Sequence, residues 1–292
     1  MKTFAQALAS QTFTVTAEMS LRGHMPASEI LQQAKELTPF VDALQVAESP
    51  QQRGQMSPVA MAALLLREGI DPITRLNCRD RNRLALQSEL VGLKALGVSS
   101  LILNRGNRLQ NPETLTGKQV FDINCRDLIS MAAEISEETV SGPGQEFMIG
   151  TSVTVFSPKP DWKAELLKTR ASAGARFLQT QPCFSLPMLR RYMQRVIDLR
   201  MTWNYAVVVT LAPLTKMEME RGQLENLRGT IIPKSIMNEL TAATDPEQAG
   251  IEICARQMQE IATIPGVSGI NLLTLGNPAA VIAAIEASGL RP

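Results

Sequence analysis

The chain has 292 residues, 45% of them apolar, and 29 basic against 28 acidic side chains leave a formal charge of +1. That length and apolar content suit one large α/β domain, and near-neutrality gives no bulk attraction to nucleic acid or a membrane surface. The N-terminal MKTFAQALASQTFTVTAEM holds no long apolar run, and no later stretch reaches the roughly 18 apolar residues of a span, so neither a signal peptide nor a membrane anchor is expected. Cys78, Cys125, Cys183 and Cys254 lie far apart with no CxxC pair, which reads as reduced thiols in a cytoplasmic protein. His24, the single histidine, sits beside Gly23 in a predicted loop, so a Ser-His-Asp triad or a multi-His metal site would have to rely on this one residue.

The first predicted strand is Phe13–Met19, β-branched early and apolar on both faces, as a strand buried on both sides is. Glu18 lies at its end. The loop Ser20–Pro26 leads to a helix over Ala27–Leu37, and a second strand over Ala43–Ala47 ends in Glu48-Ser49-Pro50. Ser57-Pro58 is an N-cap followed by proline at the first helical position, for a helix running to about Glu68. The third strand lies near Ile73–Cys78. The charged turn Arg79-Asp80-Arg81-Asn82 follows, then a helix over Arg83–Leu96 closed by Gly97, and a fourth strand, Val98–Leu103, ending in Asn104-Arg105-Gly106-Asn107. A polar loop, Gln110–Gly117, precedes the helix Cys125–Ile135, and a second loop covers Glu137–Gln145. Strands Phe147–Val155, Arg176–Gln181, Ala206–Leu211 and Gly269–Thr274 complete the set. Helices are predicted over Trp162–Ala173, Leu186–Leu199, Lys216–Leu224, Pro233–Ala243, Pro246–Ala262 and Ala279–Ser288.

Eight strands, each followed by at least one helix, imply a parallel sheet closed on itself. No linker divides the chain. The expectation is one α/β domain over residues 1–292, a (βα)8 TIM barrel with extra helices before the last strand.

In such a barrel the chemistry lies at the C-terminal ends of the strands. There the sequence places Glu18, Ala47, Glu48, Asn77 to Asp80, Arg105 to Asn107, Thr154, Gln181, Pro213 to Met217, Thr274 and Asn277. Glu18 is the acid–base candidate, standing in an apolar strand end where desolvation would raise its pKa; a structural ion pair is the other reading. Arg105-Gly106-Asn107 offers backbone N–H groups and a guanidinium to a phosphate, or is simply a tight turn. The run Arg79 to Arg83 reads as a solvated helix start, an ion-pair network or a hold on a polar ligand. The Gln181 amide can read the edge of a planar heterocycle, or cap the next helix. Met61, Met131, Met188, Met193 and Met258 read as core filling.

With these residues in hand the chain resembles the methylenetetrahydrofolate reductase family, and most closely its short, catalytic-barrel-only bacterial type. The resemblance runs from about Phe13 to Asn277. CRDRNRLALQSELVGLKALGV is similar to the segment after that family's third strand, and LILNRGN to its L-x-x-R-G-D or T-G-D turn. ASAGARFLQTQPCF is similar to its A-G-A-x-x-x-x-T-Q-x-x-F, and GVSGINLLTLGN to its final G-x-x-G-I-H-x-x-T-x-N strand. The resemblance implies a (βα)8 barrel binding FAD at its C-terminal face, with NADH or NADPH as electron partner and a tetrahydrofolate derivative as substrate. It implies that Glu18 is the acid that helps open the substrate ring, that Gln181 contacts the folate, and that Met217 lies near its aryl group. Arg105 and Gly106 match positions on the flavin.

Several positions depart from the family pattern. Asn107 replaces the aspartate beside the flavin, Arg75 and Asn77 replace the His and Thr of H-L-T-C, Ala47 replaces a threonine, and Arg170 replaces a flavin-contacting lysine. A neutral Asn107 removes a carboxylate that would oppose negative charge on reduced flavin, which raises the potential of a bound flavin and tilts the reaction toward oxidising methyltetrahydrofolate. Asn107 thus counts as both a catalytic and a substrate-binding candidate, and Arg75, Asn77, Arg105, Gly106 and Arg170 as cofactor-binding ones. Two other readings stand beside this one: a folate-binding barrel that has lost FAD and works in one-carbon or methyl transfer, and a non-catalytic subunit of a redox complex. The chain holds no iron–sulfur cysteine spacing and no Rossmann fingerprint that would select NADH or NADPH. A homo-oligomer is expected, with a redox protein as a further partner and no nucleic acid or membrane.

Overall fold

The computed structural model describes residues 3–10, 12–19, 25–47, 56–108, 118–137, 146–215, 224 and 229–291. Eight parallel strands close a barrel in sequence order: β1 (Thr14–Met19), β2 (Ala43–Val46), β3 (Ile73–Asn77), β4 (Ser100–Asn104), β5 (Met148–Val153), β6 (Phe177–Thr180), β7 (Ala206–Leu211) and β8 (Gly269–Leu273), with β8 pairing back onto β1. Around them lie α1 (Phe4–Ala9), α2 (Ala27–Leu37), α3 (Pro58–Arg67), α4 (Arg83–Leu96), α5 (Cys125–Glu137), α6 (Glu165–Ser172), α7 (Leu186–Asp198), α8 (Lys234–Ala242), α9 (Pro246–Ala262) and α10 (Pro278–Ser288). Both α8 and α9 fall between β7 and β8, as expected of the helical additions. The predicted helix Lys216–Leu224 lies outside the described residues except for Leu224.

Period-2 alternation divides each strand between two cores. Val15, Ala17, Met19, Leu44, Val46, Leu76, Leu101, Leu103, Leu178 and Val209 pack outward against the helices. Ala43, Ile73, Ile102, Phe177 and Val208 pack inside the barrel with Phe4. The side chain of Phe4, from α1, meets Phe177 edge-on at 5.0 Å between ring centroids and fills the barrel floor. The sequence reading held no such helix. Thr3 and Gln6 bracket α1 as a capping box, and its six residues take their place from the plug that Phe4 makes. Gly150 admits the Phe177 ring: a Cβ there would lie 2.3 Å from the ring.

Boundaries shift where local contacts win. Val98 belongs to the turn that closes α4, its N–H reaching Leu93 O at 3.1 Å beyond the left-handed Gly97, so β4 begins at Ser100. Trp162 is not helical. It joins Phe156 and Tyr192 at centroid distances of 5.3 and 5.7 Å, and α6 starts only at Glu165, after a left-handed Ala164. The Ser57 hydroxyl caps α3 as predicted, accepting from Ala60 N at 3.1 Å with Pro58 behind it. The named methionines are core filling: Met61, Met131, Met193 and Met258 are buried, and Met188 packs against the core.

Candidate active site

Following the strand register round the barrel sorts the inward side chains into layers of four from alternate strands. Ala43, Ser100, Phe177 and Gly269 form a floor layer. Thr16, Ile73, Gly150 and Val208 lie above it, and Gln45, Ile102, Gln179 and Asn271 above those. Glu18, Arg75, Ser152 and Thr210 come next, and Ala47, Asn104, Gln181 and Leu273 lie nearer the mouth. The lining therefore changes from apolar to polar toward the strand C-termini.

Glu18 sits at the centre of that change. Alternation sends its chain neighbours Ala17 and Met19 to the helix side, so its own neighbours are polar. This corrects the expected apolar surroundings. Arg75 Nη2 lies 3.1 Å from Glu18 Oε2, and Gln45 Nε2 donates to the same oxygen at 2.5 Å. Neither contact uses Oε1. The Arg75 and Glu18 side chains keep 21% and 18% of their surface, so the ion pair is only partly shielded. Arg75 is thus fastened to the candidate acid inside the barrel. Gln45 is fully buried and was absent from the sequence-derived candidates. Its signal was present: it is a polar residue on the inward parity of the apolar strand Ala43–Val46.

Four buried polar atoms in these two layers have no hydrogen-bond partner among the described residues: Gln45 Oε1, Arg75 Nε, Thr210 Oγ1 and Asn271 Nδ2. Asn271 accepts from the Thr16 hydroxyl at 2.9 Å through Oδ1. Buried polar groups are normally paired, and each exception calls for a reason such as strain, a chemical role or a bound group.

The β3 and β4 ends are built against each other. Asn77 Oδ1 accepts from Arg79 N at 2.8 Å, fixing the turn after β3. Gly106, at φ +81°, packs over it: a Cβ there would stand 2.9 Å from Arg79 Cβ and 3.0 Å from Asn77 Oδ1. Arg79 is buried and forks onto Asp80 at 2.8 and 2.7 Å, and Arg81 reaches Glu89 at 3.3 Å. The charged run is therefore an ion-pair network. Residues 120 and 121 return over it, Val120 N donating to Arg79 O and Phe121 N to Cys78 O at 2.6 and 3.1 Å. The Arg105 guanidinium stacks on Phe121 at 4.5 Å from the ring centroid. Asn107 is exposed at the end of this loop.

On the other side, Asn104 bridges the splaying ends of β4 and β5, accepting from Ser152 N at 2.9 Å and donating to Ser152 Oγ at 3.1 Å. Arg170, on α6, donates to Ser152 O at 2.9 Å. Gln181 is half-buried just past β6, and its side-chain amide has no partner among the described residues. Gly229 crosses the end of β5 so closely that a Cβ would stand 2.2 Å from Thr154 Cγ2. Asn277 caps α10 through Ala280 N at 3.2 Å. Met217, His24 and Glu48 lie outside the described residues. Burial pushes the thiols of Cys183 and Cys254 up to about 11 and about 12, so neither supplies a thiolate near neutrality.

The structure therefore brings Glu18 and Arg75 together, leaves Arg105, Gly106, Asn107 and Gln181 on the mouth, and ties Asn77 and Arg170 to backbone. Among the described residues no helix is long and apolar enough to cross a membrane.

The fold is similar to that of 2,3-dimethylmalate lyase, a PEP mutase/isocitrate lyase superfamily member (TM-score 0.54, 14% identity, 98% of this chain and 86% of that one). It is also similar to that of the long-chain alkane monooxygenase LadA (TM-score 0.54, 10% identity, 95% and 90%). In sequence, the chain is 23% identical over 230 residues to a Caenorhabditis elegans protein named "Probable methylenetetrahydrofolate reductase (NADPH)". That match covers 76% of this chain and 33% of the relative, so the chain spans about a third of the relative's length. The methylenetetrahydrofolate reductase family model matches residues 3–289, nearly the whole described barrel, and the chain belongs to that family.

Proposed function

We propose that this barrel is an oxidoreductase of one-carbon metabolism that interconverts 5,10-methylenetetrahydrofolate and 5-methyltetrahydrofolate. The observation that carries the reading is Glu18, set inside the mouth of a barrel of this family with Oε2 held by Gln45 and Arg75 and Oε1 outside both contacts. In the ring-opening direction Glu18 gives a proton to N10 of the folate as the bond from N10 to the one-carbon unit breaks. The electron pair goes to N10, and the N5 lone pair completes an iminium. In the oxidising direction the same carboxylate takes the N10 proton back as the ring closes. Gln181, with its amide unspent, is the group that hydrogen-bonds the folate ring.

The residues fit FAD in part. Arg105, Gly106 and Asn107 form one accessible edge at the β4 end that can hold a flavin, whereas Asn77 and Arg170 are committed to backbone. A flavin held at that edge would supply hydride transfer to or from the one-carbon unit, with NADH or NADPH as electron partner. With Asn107 in place of a carboxylate, the methyl-oxidising direction is favoured. The commitment of Asn77 and Arg170 supports a second reading, a barrel that binds folate without FAD. The setting is a cytoplasmic homo-oligomer acting alone or with a redox protein.

The visible spectrum of the purified protein, before and after added FAD, separates the readings. Flavin absorbance together with folate turnover that is lost in Glu18→Gln supports the first. Methyltetrahydrofolate binding without FAD uptake supports the second, and binding of neither refutes both.

A further inference from the structure

We propose that Gln45 is a positioning residue for Glu18: it fixes which carboxylate oxygen exchanges the proton. This rests on the acid–base role of Glu18 given above. Gln45 lies one layer deeper in the barrel than Glu18 and has no exposed surface. Its Nε2 draws Glu18 Oε2 toward the floor at 2.5 Å, and Arg75 Nη2 holds the same oxygen from β3 at 3.1 Å. Two donors on one oxygen stop the carboxylate turning, so Oε1 is the oxygen left for the folate.

Gln45 is poorly served by this arrangement. Its own Oε1 is buried and has no partner among the described residues. The amide cannot be reversed to cure that, because Oε1 would then face the Glu18 carboxylate and Nε2 would lose its acceptor. An unbranched apolar side chain of the same length would fill the space without an orphaned oxygen. A residue that burdens the core while directing a reactive group points to the site as its purpose.

Without Gln45, Arg75 is the only donor left on Glu18 among the described residues. The carboxylate is then free to rotate until the guanidinium takes both oxygens, the fork geometry that arginine and carboxylate prefer, and Oε1 is lost to the substrate. Gln45→Met removes the donor and keeps the length.

The experiment compares wild type and Gln45→Met for folate turnover, thermal unfolding and crystal structure. The expected result is kcat reduced by about tenfold to 100-fold, the scale of a small misplacement of a reacting group, with KM for the folate within about twofold. The melting temperature is expected to be unchanged or raised. Wild-type kcat in the variant overturns the proposal, and so does a fall in kcat accompanied by a fall in melting temperature, which would mark a structural role. If the wild type turns over no folate, the functional reading fails. The positioning claim is then decided by the variant crystal structure: Glu18 rotated with both oxygens on Arg75 supports it, and an unmoved Glu18 overturns it.

Discussion

Removing either member of the Glu18–Arg75 pair should destabilise the barrel by unequal amounts, because the two ions left behind are chemically different. Glu18→Gln strands the Arg75 guanidinium, which cannot shed its charge and whose Nε is already without a partner. Arg75→Met strands a carboxylate, which keeps the Gln45 amide at 2.5 Å and can neutralise itself by taking a proton. Breaking a fully buried pair costs about 3–5 kcal/mol. With side-chain exposures of 21% and 18% that figure has to be discounted. Glu18→Gln is expected to cost about 2–4 kcal/mol and Arg75→Met about 1–2 kcal/mol. At roughly 2 °C per kcal/mol for a chain of this size, these are melting-point losses of about 4–8 °C and 2–4 °C.

The double variant Glu18→Gln/Arg75→Met leaves no uncompensated charge and should recover to within about 1 kcal/mol of the wild type, so the two sites couple strongly. Scanning calorimetry of the four proteins at neutral pH closes the cycle. An Arg75→Met loss equal to or greater than that of Glu18→Gln would refute the argument. So would a double variant whose loss is the sum of the single ones.

Gly150→Ala drives a Cβ to within 2.3 Å of the Phe177 ring, which Phe4 holds from below, and should cost about 1–3 kcal/mol in chemical denaturation; a variant as stable as the wild type would show that the floor yields freely. Asp71 joins the start of β3 to β4 through Ser99 N at 3.2 Å and the Ser99 hydroxyl, and desolvation raises its pKa above 3.8 against those two bonds. Its folded pKa lies above the unfolded one, so the associated stability is complete below about pH 3.8 and is lost as pH rises through the folded value. Asp71→Asn should therefore gain melting temperature relative to wild type between pH 4 and pH 7, and a pH-independent difference would contradict this. For FAD-loaded protein, Asn107→Asp should lower the flavin midpoint potential in a redox titration, and an unchanged midpoint would remove the case for the methyl-oxidising direction.

The barrel was legible because strands buried on both faces are short apolar runs between turn residues, and eight of them alternating with helices allow few closures. Ends were less legible, for reasons specific to each. Val98 is apolar enough for a strand, but the left-handed Gly97 carries it into a helix cap. Trp162 has a helix following it, but Phe156 and Tyr192 draw its ring into an aromatic cluster. The capping box Thr3 to Gln6 was readable, yet nothing in ten residues announces that Phe4 meets Phe177 far along the chain.

The candidate site divides along the same line. Glu18 and Gln181 stand out as polar residues at strand ends, and Arg75 only as a departure from the family's H-L-T-C pattern. Gln45 was missed because it stands one layer below Glu18. On inward parity the chain reads Ala43, Ile73, Phe177 and Val208 near the floor, and Gln45, Glu18, Arg75, Thr210 and Asn271 above them. A barrel built only for stability has no reason to replace apolar layers by polar ones that leave Gln45 Oε1, Arg75 Nε, Thr210 Oγ1 and Asn271 Nδ2 unpaired. The height at which inward residues turn polar thus marks how deep the site reaches. Here it extends at least one layer beneath the acid, to Gln45 and Asn271, which is why Asn271 belongs with Gln45, and Thr210 with Glu18, in any mutational survey of this mouth.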